Sequence, residues 1–520
     1  MKRRFILNAV IMTGSALLTH TIAAGFRVYM SNAIGSGGIG LYQLICTIYF
    51  FCVTFSTSGI TLITTRTVTE CFARGDKSTG RRFTILGLYA ALGLSAVSCA
   101  VLYIFSEGIS EVILGDIRAR LPLQIMALGL PFLAASACFR GYFLARRKAY
   151  INAGEQLLEQ VAEIVIFVMI SSSLANKGVE YACCSVAIGA TGAEAISFLY
   201  TYILYKRDVG KLGVRPGRGT GFFKKAASIG VPVTLSSTVR TGLSAAENVL
   251  IPRGLTAFGF SSEQALSKYG IVAGMAMPLL TFPAAFLLSF SSLMIPELAD
   301  AAARLRQASI RHMTERVLRF ALLFSAPAAA VFFFFADGIG RLLFTEEEVI
   351  VYIRLLAPIV PLFYLDSVID GMLKGLGEQL HYLGYNIIDA ALRVGLIALG
   401  LPIFGVKGLI AVYFISGILN TGLSMLRLIK VARVDFKPVN WVIKPLVSAC
   451  LPCLLLSLVQ RILGLEQNGF CTAVMILASI AASVFLMCIT GAVKKSEVDI
   501  RVLRRNSGIK ISEKNKETVK

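Results

Sequence analysis

A chain of 520 residues that is 56% hydrophobic, 16% charged and has a mean hydropathy of +0.73 carries more apolar surface than one globular core can bury, so lipid is its expected solvent. The formal net charge of +21 would suit a nucleic-acid binder, but most of the 51 Lys and Arg fall on one set of alternate loops and on the termini. That one-sidedness is the positive-inside pattern: it accounts for the charge without nucleic acid and predicts that the basic side is cytoplasmic.

A spanning helix needs about 20 mostly apolar residues. By that measure fourteen spans are predicted, in chain order 5–30, 40–68, 83–106, 121–143, 157–174, 181–205, 226–251, 269–296, 317–336, 349–373, 382–402, 406–429, 441–463 and 470–492. The expected fold is an all-α polytopic membrane protein of the cytoplasmic membrane, with both termini on the cytoplasmic side. Lys2, Arg3 and Arg4 ahead of an apolar run resemble the start of a signal peptide. The run continues past Gly25, longer than an h-region of about 7 to 15 residues, so an uncleaved first span is expected. None of the eleven Cys falls on a predicted outer loop, and the Cys450/Cys453 pair lies in an apolar helix with no His close in sequence. Neither a disulfide framework nor a metal or redox site is read from them.

A weak internal repeat divides the chain. A shift of 230 residues sets Arg140, Gly141, Glu159 and Glu163 over Asp370, Gly371, Asp389 and Arg393, and Glu70 with Arg74 over Asp300 with Arg304. Two lobes of six helices are expected, 1–215 and 216–433, joined by the basic linker 206–225; six helices each make the repeat parallel. Residues 434–492 supply two further spans, and 493–520 read as a basic, disordered cytoplasmic tail drawn to anionic lipid.

Charges inside spans are costly, about 2.5 to 3.5 kcal/mol each at the bilayer centre, and are the sharpest functional signal. The cations are Arg27, Arg66, Arg140, Arg240, Arg354 and Arg393, and the anions Glu159, Glu163, Glu194, Glu247, Asp366, Asp370 and Asp389. Arg66, Arg140, Arg354 and Asp370 lie near predicted helix ends, where snorkelling explains them equally well. Glu159 with Glu163, Asp366 with Asp370, and Asp389 with Arg393 are each four apart on one helical face. The paired carboxylates suit a coupling or gating site, and the mixed pair also suits a structural ion pair. Arg27 and Arg240 lie in the leading helices of the two lobes, where a guanidinium fork would meet phosphate oxygens. An internal Arg27–Glu247 ion pair is the competing reading. Pro232, Pro278, Pro283, Pro296, Pro358 and Pro361 fall in or near spans that would bend in a transport cycle.

Several strings, short singly but ordered along most of the chain, carry a resemblance: Gly35 to Tyr42 (GSGGIGLY), Ala73 to Lys77 (ARGDK), Arg140 to Phe143 (RGYF), Leu158 to Val161 (LEQV) and Gly192 to Tyr200 (GAEAISFLY), then Pro232, Glu247 and Pro278 to Pro283. The chain resembles the polysaccharide-export flippases of the multidrug/oligosaccharidyl-lipid/polysaccharide (MOP) superfamily, in the stage V sporulation protein B group, related to lipid II flippases. The resemblance implies a carrier that moves an undecaprenyl-pyrophosphate saccharide outward by alternating access, for peptidoglycan or polysaccharide synthesis, breaking no bond. It implies pyrophosphate contacts from Arg27 and Arg66, with Arg240, Glu247 and Asn32 completing the substrate set. Asn32 stands where relatives often carry a second arginine, and Glu163 where a basic residue is common, which implies a less cationic cavity.

No cofactor is expected; coupling to Na+, H+ or membrane potential would act through Glu159, Glu163, Asp366, Asp370, Asp389 and Arg393. Expected partners are the lipid-linked oligosaccharide, membrane lipids and envelope-synthesis enzymes. A cation-coupled drug or metabolite exporter of the same superfamily is the alternative, distinguished by cavity chemistry. A membrane-embedded glycan polymerase or ligase would need catalytic residues on the short outer loops, where no His and carboxylate cluster appears. A non-transporting scaffold would have little use for buried charge.

Overall fold

Long apolar stretches satisfy their backbone hydrogen bonds in lipid by forming helices. In the computed structural model every regular element among the described residues is helical. The structure describes residues 2–174, 177–213, 215–217, 226–462, 464 and 469–492; the expected tail, 493–520, and the linker residues 218–225 lie outside them.

In chain order the main helices are α1 (Lys2–Ala73), α2 (Lys77–Ile104), α3 (Arg120–Ala127), α4 (Leu130–Ala145), α5 (Ala149–Leu174), α6 (Val179–Leu212), α7 (Val231–Phe258) and α8 (Ser262–Tyr269). They continue with α9 (Ala284–Ala303), α10 (Gln307–Phe334), α11 (Ala336–Leu343), α12 (Glu348–Leu356), α13 (Val360–Gly375), α14 (Gln379–Ala432), α15 (Lys444–Ile462) and α16 (Gly469–Ile489). Among the described residues nine helices are long and apolar enough to cross a membrane, or ten if the pair bent by 44° between Ala127 and Leu130 forms one span.

Two of those helices are hairpins broken at glycine. α1 breaks at Gly35, with φ 73° and ψ 174°. Arg27 and Tyr42 line one cavity, although fifteen positions of straight helix would part them by about 22 Å; the arms 2–34 and 36–73 therefore fold back on each other. α14 breaks at Gly405, with φ 57° and ψ −138°, and Ser416 of its second arm donates a hydrogen bond to Asp389 of its first at 2.7 Å. A side chain at 405 would be strained by its φ and would strike the Phe258 ring, 2.9 Å from the Cβ position.

The repeat is written into the backbone. α2 and α10 are 28 residues each and begin 230 positions apart; α5 and α14 also begin 230 apart. Left-handed helix caps recur at the same shift, Gly75 (φ 79°) with Leu305 (φ 54°) and Arg147 (φ 57°) with Gly377 (φ 81°). So does close packing: a Cβ on Gly141 would lie 2.8 Å from the Thr61 carbonyl oxygen, and one on Gly371 would lie 2.1 Å from the Ser291 hydroxyl. Gly40 and Gly270, also 230 apart, lie against each other, a Cβ on Gly270 falling 2.7 Å from the Gly40 nitrogen. The repeat-related helices thus cross where neither has a side chain.

The basic loops define one end of the molecule. There Asp76 caps α2 by accepting from the Thr79 N–H at 3.0 Å, and the bonds from Thr79 and Ser78 hold its carboxyl down to about 2. Asp208, near the end of α6, accepts from Tyr142 (2.7 Å), Arg146 (3.1 Å) and Lys148, fastening the basic 146–148 turn.

Candidate substrate cavity and buried charge

A cavity of about 550 Å³ lies between the two halves, within the size range of small-molecule sites. Its first-half wall includes His20 and Arg27 on the first arm of α1, Tyr42 on the second and Glu163 on α5; Phe363 and Ser367 of α13 face it from the second half. The run 277–288 completes that wall, and Pro278 and Pro283 within it remove backbone donors where the chain bends round the cavity. Arg27 is an exposed side chain that lines this cavity with Glu163 and Tyr42.

Behind this wall α5 carries a ladder. Glu155, Glu159 and Glu163, four apart, share one face. Glu155 is fully buried and pairs with Arg140 of α4 at 3.3 Å. Ser197 of α6 lies 3.1 Å from a Glu155 oxygen and 3.3 Å from a Glu159 oxygen, and Gln160 donates to Glu163 at 3.4 Å. Glu194 accepts from the Tyr49 hydroxyl, while its other oxygen packs so near Gly129 that a Cβ there would fall 2.1 Å away.

The second half gathers its charge differently. Arg393 stands between Glu247 of α7 (3.1 Å) and Asp389 (3.2 Å), and Ser416 secures Asp389. Asn420 donates to Asp366 at 3.1 Å. Asp370 lies near Tyr382, Lys374 and Arg240.

Some pairings differ from those expected. Glu247 is held by Arg393, so the Arg27–Glu247 pair does not form, and Arg27 is left to the cavity. The Glu159–Glu163 pair, expected to stand without a close cation, has Arg27 near Glu163 and Arg140 paired with neighbouring Glu155. Asp389 and Arg393 make the expected ion pair. Arg354, for which snorkelling was one of two readings, bonds to Asp337. Arg66 is 60% exposed with Glu70 at 3.4 Å, and Arg240 is exposed; neither lines the cavity. Glu155 escaped the sequence reading because the predicted span began at Leu157, although the four-residue spacing to Glu159 was the available signal. Tyr49, Ser197, Ser416 and Asn420 carried no signal, because hydroxyl and amide side chains are common in such helices.

Asn32 works elsewhere, at the end away from the basic loops. It donates to the Leu343 carbonyl (2.7 Å) and accepts from the Thr345 N–H (3.1 Å). Beside it Ser36 donates to Glu346 (2.7 Å) and accepts from Ser267 (2.9 Å). Arg253 donates to the Val112 and Ile113 carbonyls, and Arg118 faces Glu263 at 3.6 Å. With the Gly40–Gly270 crossing, these contacts close the halves at that end.

Repeated halves of apolar helices thus enclose a largely apolar cavity that carries charged groups, Arg27 and Glu163, in its wall. Solved structures agree on the fold. The chain matches "Lipid II flippase MurJ, inward closed conformation" over 92% of its length and 98% of that chain, with a TM-score of 0.71 at 13% identity. It matches an inward-facing multidrug resistance MATE family transporter of the MOP superfamily over 82% and 99%, with a TM-score of 0.62 at 15% identity. The family model described as "Polysaccharide biosynthesis protein" matches residues 5–299, and one described as MatE matches 254–399; the chain belongs to the polysaccharide biosynthesis protein family. It is similar to stage V sporulation protein B of Bacillus subtilis (strain 168), 24% identical over 96% of this chain and 97% of that protein. The same organism's sporulation protein YkvU is 21% identical over 68% and 79%. The chain is thus a multi-pass membrane protein of the polysaccharide biosynthesis protein family, with the fold of these transporters.

Proposed function

We propose that the chain is a flippase for a lipid-linked saccharide, carrying an undecaprenyl-pyrophosphate glycan of the lipid II type or a related precursor to the outer leaflet for cell-wall, spore-cortex or polysaccharide synthesis. The observation that carries the reading is Arg27, an exposed guanidinium lining the cavity between the halves while Arg140 and Arg393 are engaged by carboxylates. A guanidinium in a site of low dielectric binds phosphate oxygens in paired, charge-assisted hydrogen bonds. In this reading the basic end is cytoplasmic, fourteen spans form lobes 1–215 and 216–433 with 434–492 appended, and Arg66 and Arg240 attract the pyrophosphate on entry. Release follows when the contacts at Asn32 and Ser36 part and the opposite end opens. Glu159, Glu163, Asp366 and Asp370 are the groups through which H+, Na+ or the membrane potential would bias that exchange. Envelope-synthesis enzymes would supply and consume the lipid.

In liposomes, Arg27→Ala is expected to slow flipping of a fluorescent undecaprenyl-pyrophosphate saccharide at least about ten-fold, with Arg27→Lys intermediate. Unchanged flipping by Arg27→Ala at equal insertion removes the phosphate site. Glu163 in the same cavity favours a second reading, export of an organic cation. Cation efflux abolished by Glu163→Gln, with no lipid flipping by the unaltered protein, would establish it instead.

A further inference from the structure

The central cavity has two chemically different walls. Its charged and amide groups come from the first half, His20 and Arg27 on the first arm of α1 and Gln160 and Glu163 on α5. Among the described residues the second half brings none. Met277, Pro278, Phe282 and Phe363 make most of its wall, and the polar residues it adds are Thr281 and Ser367. Both hydroxyls are turned onto their own helices, Thr281 donating to the Met277 carbonyl at 2.8 Å and Ser367 to the Phe363 carbonyl at 2.9 Å. The carboxylates of α13 lie elsewhere. Phe363 and Ser367, four apart, form the face of that helix that meets the cavity, while Asp366 accepts from Asn420 of α14 at 3.1 Å, and neither it nor Asp370 lines the cavity. Phe282 and Phe363 are only half-buried, so apolar area is left uncovered across the cavity from Arg27. A wholly polar ligand would give up water against that wall with no hydrogen bond in return, whereas a hydrocarbon chain gains by covering it.

We propose that the second-half wall is a subsite for the hydrocarbon chain of the substrate, its first isoprenyl units lying on Phe282 and Phe363 while the pyrophosphate meets Arg27 of the other half. The proposal rests on the flippase reading and adds what the second half recognises. A substrate laid across the cavity in this way touches both halves at once, which lets its binding bias their arrangement. The test is displacement of a fluorescent undecaprenyl-pyrophosphate saccharide from the full-length protein in zwitterionic nanodiscs, by farnesyl pyrophosphate and by inorganic pyrophosphate. Farnesyl pyrophosphate should act at a concentration at least about ten-fold lower, because burial of two methylene equivalents already gives that ratio. In the double variant Phe282→Ser, Phe363→Ser the ratio should shrink about ten-fold. Partition of the chain into lipid is common to both proteins and cancels. Each serine change is also made singly, so that a double variant that fails to fold leaves two that can be read, and Phe282→Leu with Phe363→Leu, which keeps an apolar wall, should keep the ratio. An unchanged ratio in the folded serine variants overturns the proposal. So does weakening of the saccharide probe alone by the serine and leucine variants alike, which would put a sugar on the phenyl rings instead. Arg27→Ala should weaken both displacing ligands and keep their ratio; no weakening removes the phosphate contact of the flippase reading, whereas the ratio alone decides the chain subsite.

Discussion

The two halves share a backbone plan and reverse the sign of some of its buried charges. At the 230-residue shift Arg140 corresponds to Asp370, Glu159 to Asp389 and Glu163 to Arg393. In the first half the cation stands at the far rung of the α5 ladder, on Glu155, which leaves Glu163 to the cavity beside Arg27. In the second half the cation is drawn inward and bridges Glu247 and Asp389, joining α7 to α14. One half spends its charge on holding helices together, and the other keeps charge where a substrate would be. Repetition of fold therefore does not repeat chemistry, and the cavity's ionic character comes from the first half.

The difference can be broken directly. Arg393→Ala leaves Glu247 and Asp389 buried without their cation and is expected to cost about 3 kcal/mol in thermal or denaturant unfolding. Adding Glu247→Gln and Asp389→Asn should return most of it. Arg140→Ala leaves one buried carboxylate, Glu155, without its cation where Arg393→Ala leaves two, and Ser197 still lies 3.1 Å from Glu155, so a smaller loss of about 2 kcal/mol is expected. Equal losses at the two sites would mean that the halves use their charge alike. The smallest effect concerns the repeat's caps: Leu305 adopts φ 54° where its counterpart is Gly75, and its side chain is 88% exposed. Leu305→Gly should stabilise by about 1 kcal/mol, and no gain would show that the surroundings already absorb the left-handed strain.

Hydropathy was enough to read an all-helical membrane fold, because lipid punishes an unpaired backbone, and recurring charges with Gly141 and Gly371 pointed to the repeat. Gly35 and Gly405 sit at or beside the predicted gaps between spans, and Gly40 with Gly270 mark where the halves touch. The partners of the charges were less legible. Arg393 has carboxylates near it in sequence and in space, and only folding chooses Glu247, 146 positions away, as its second partner. Asn32 entered the expected substrate set because it stands where relatives of the resembled family often carry a second arginine. Its amide is occupied by backbone groups at 343 and 345, which no periodicity reveals.

The central claim is that the halves must part at the Asn32 end for transport to occur. Cysteines introduced as Asn32→Cys and Thr345→Cys, joined by a short linker that a reductant cleaves, test it in the flipping assay. The account predicts that the linked protein stops moving the lipid-linked saccharide and that reduction restores the rate, with neither single variant affected. Transport at the full rate while the link is intact would contradict it.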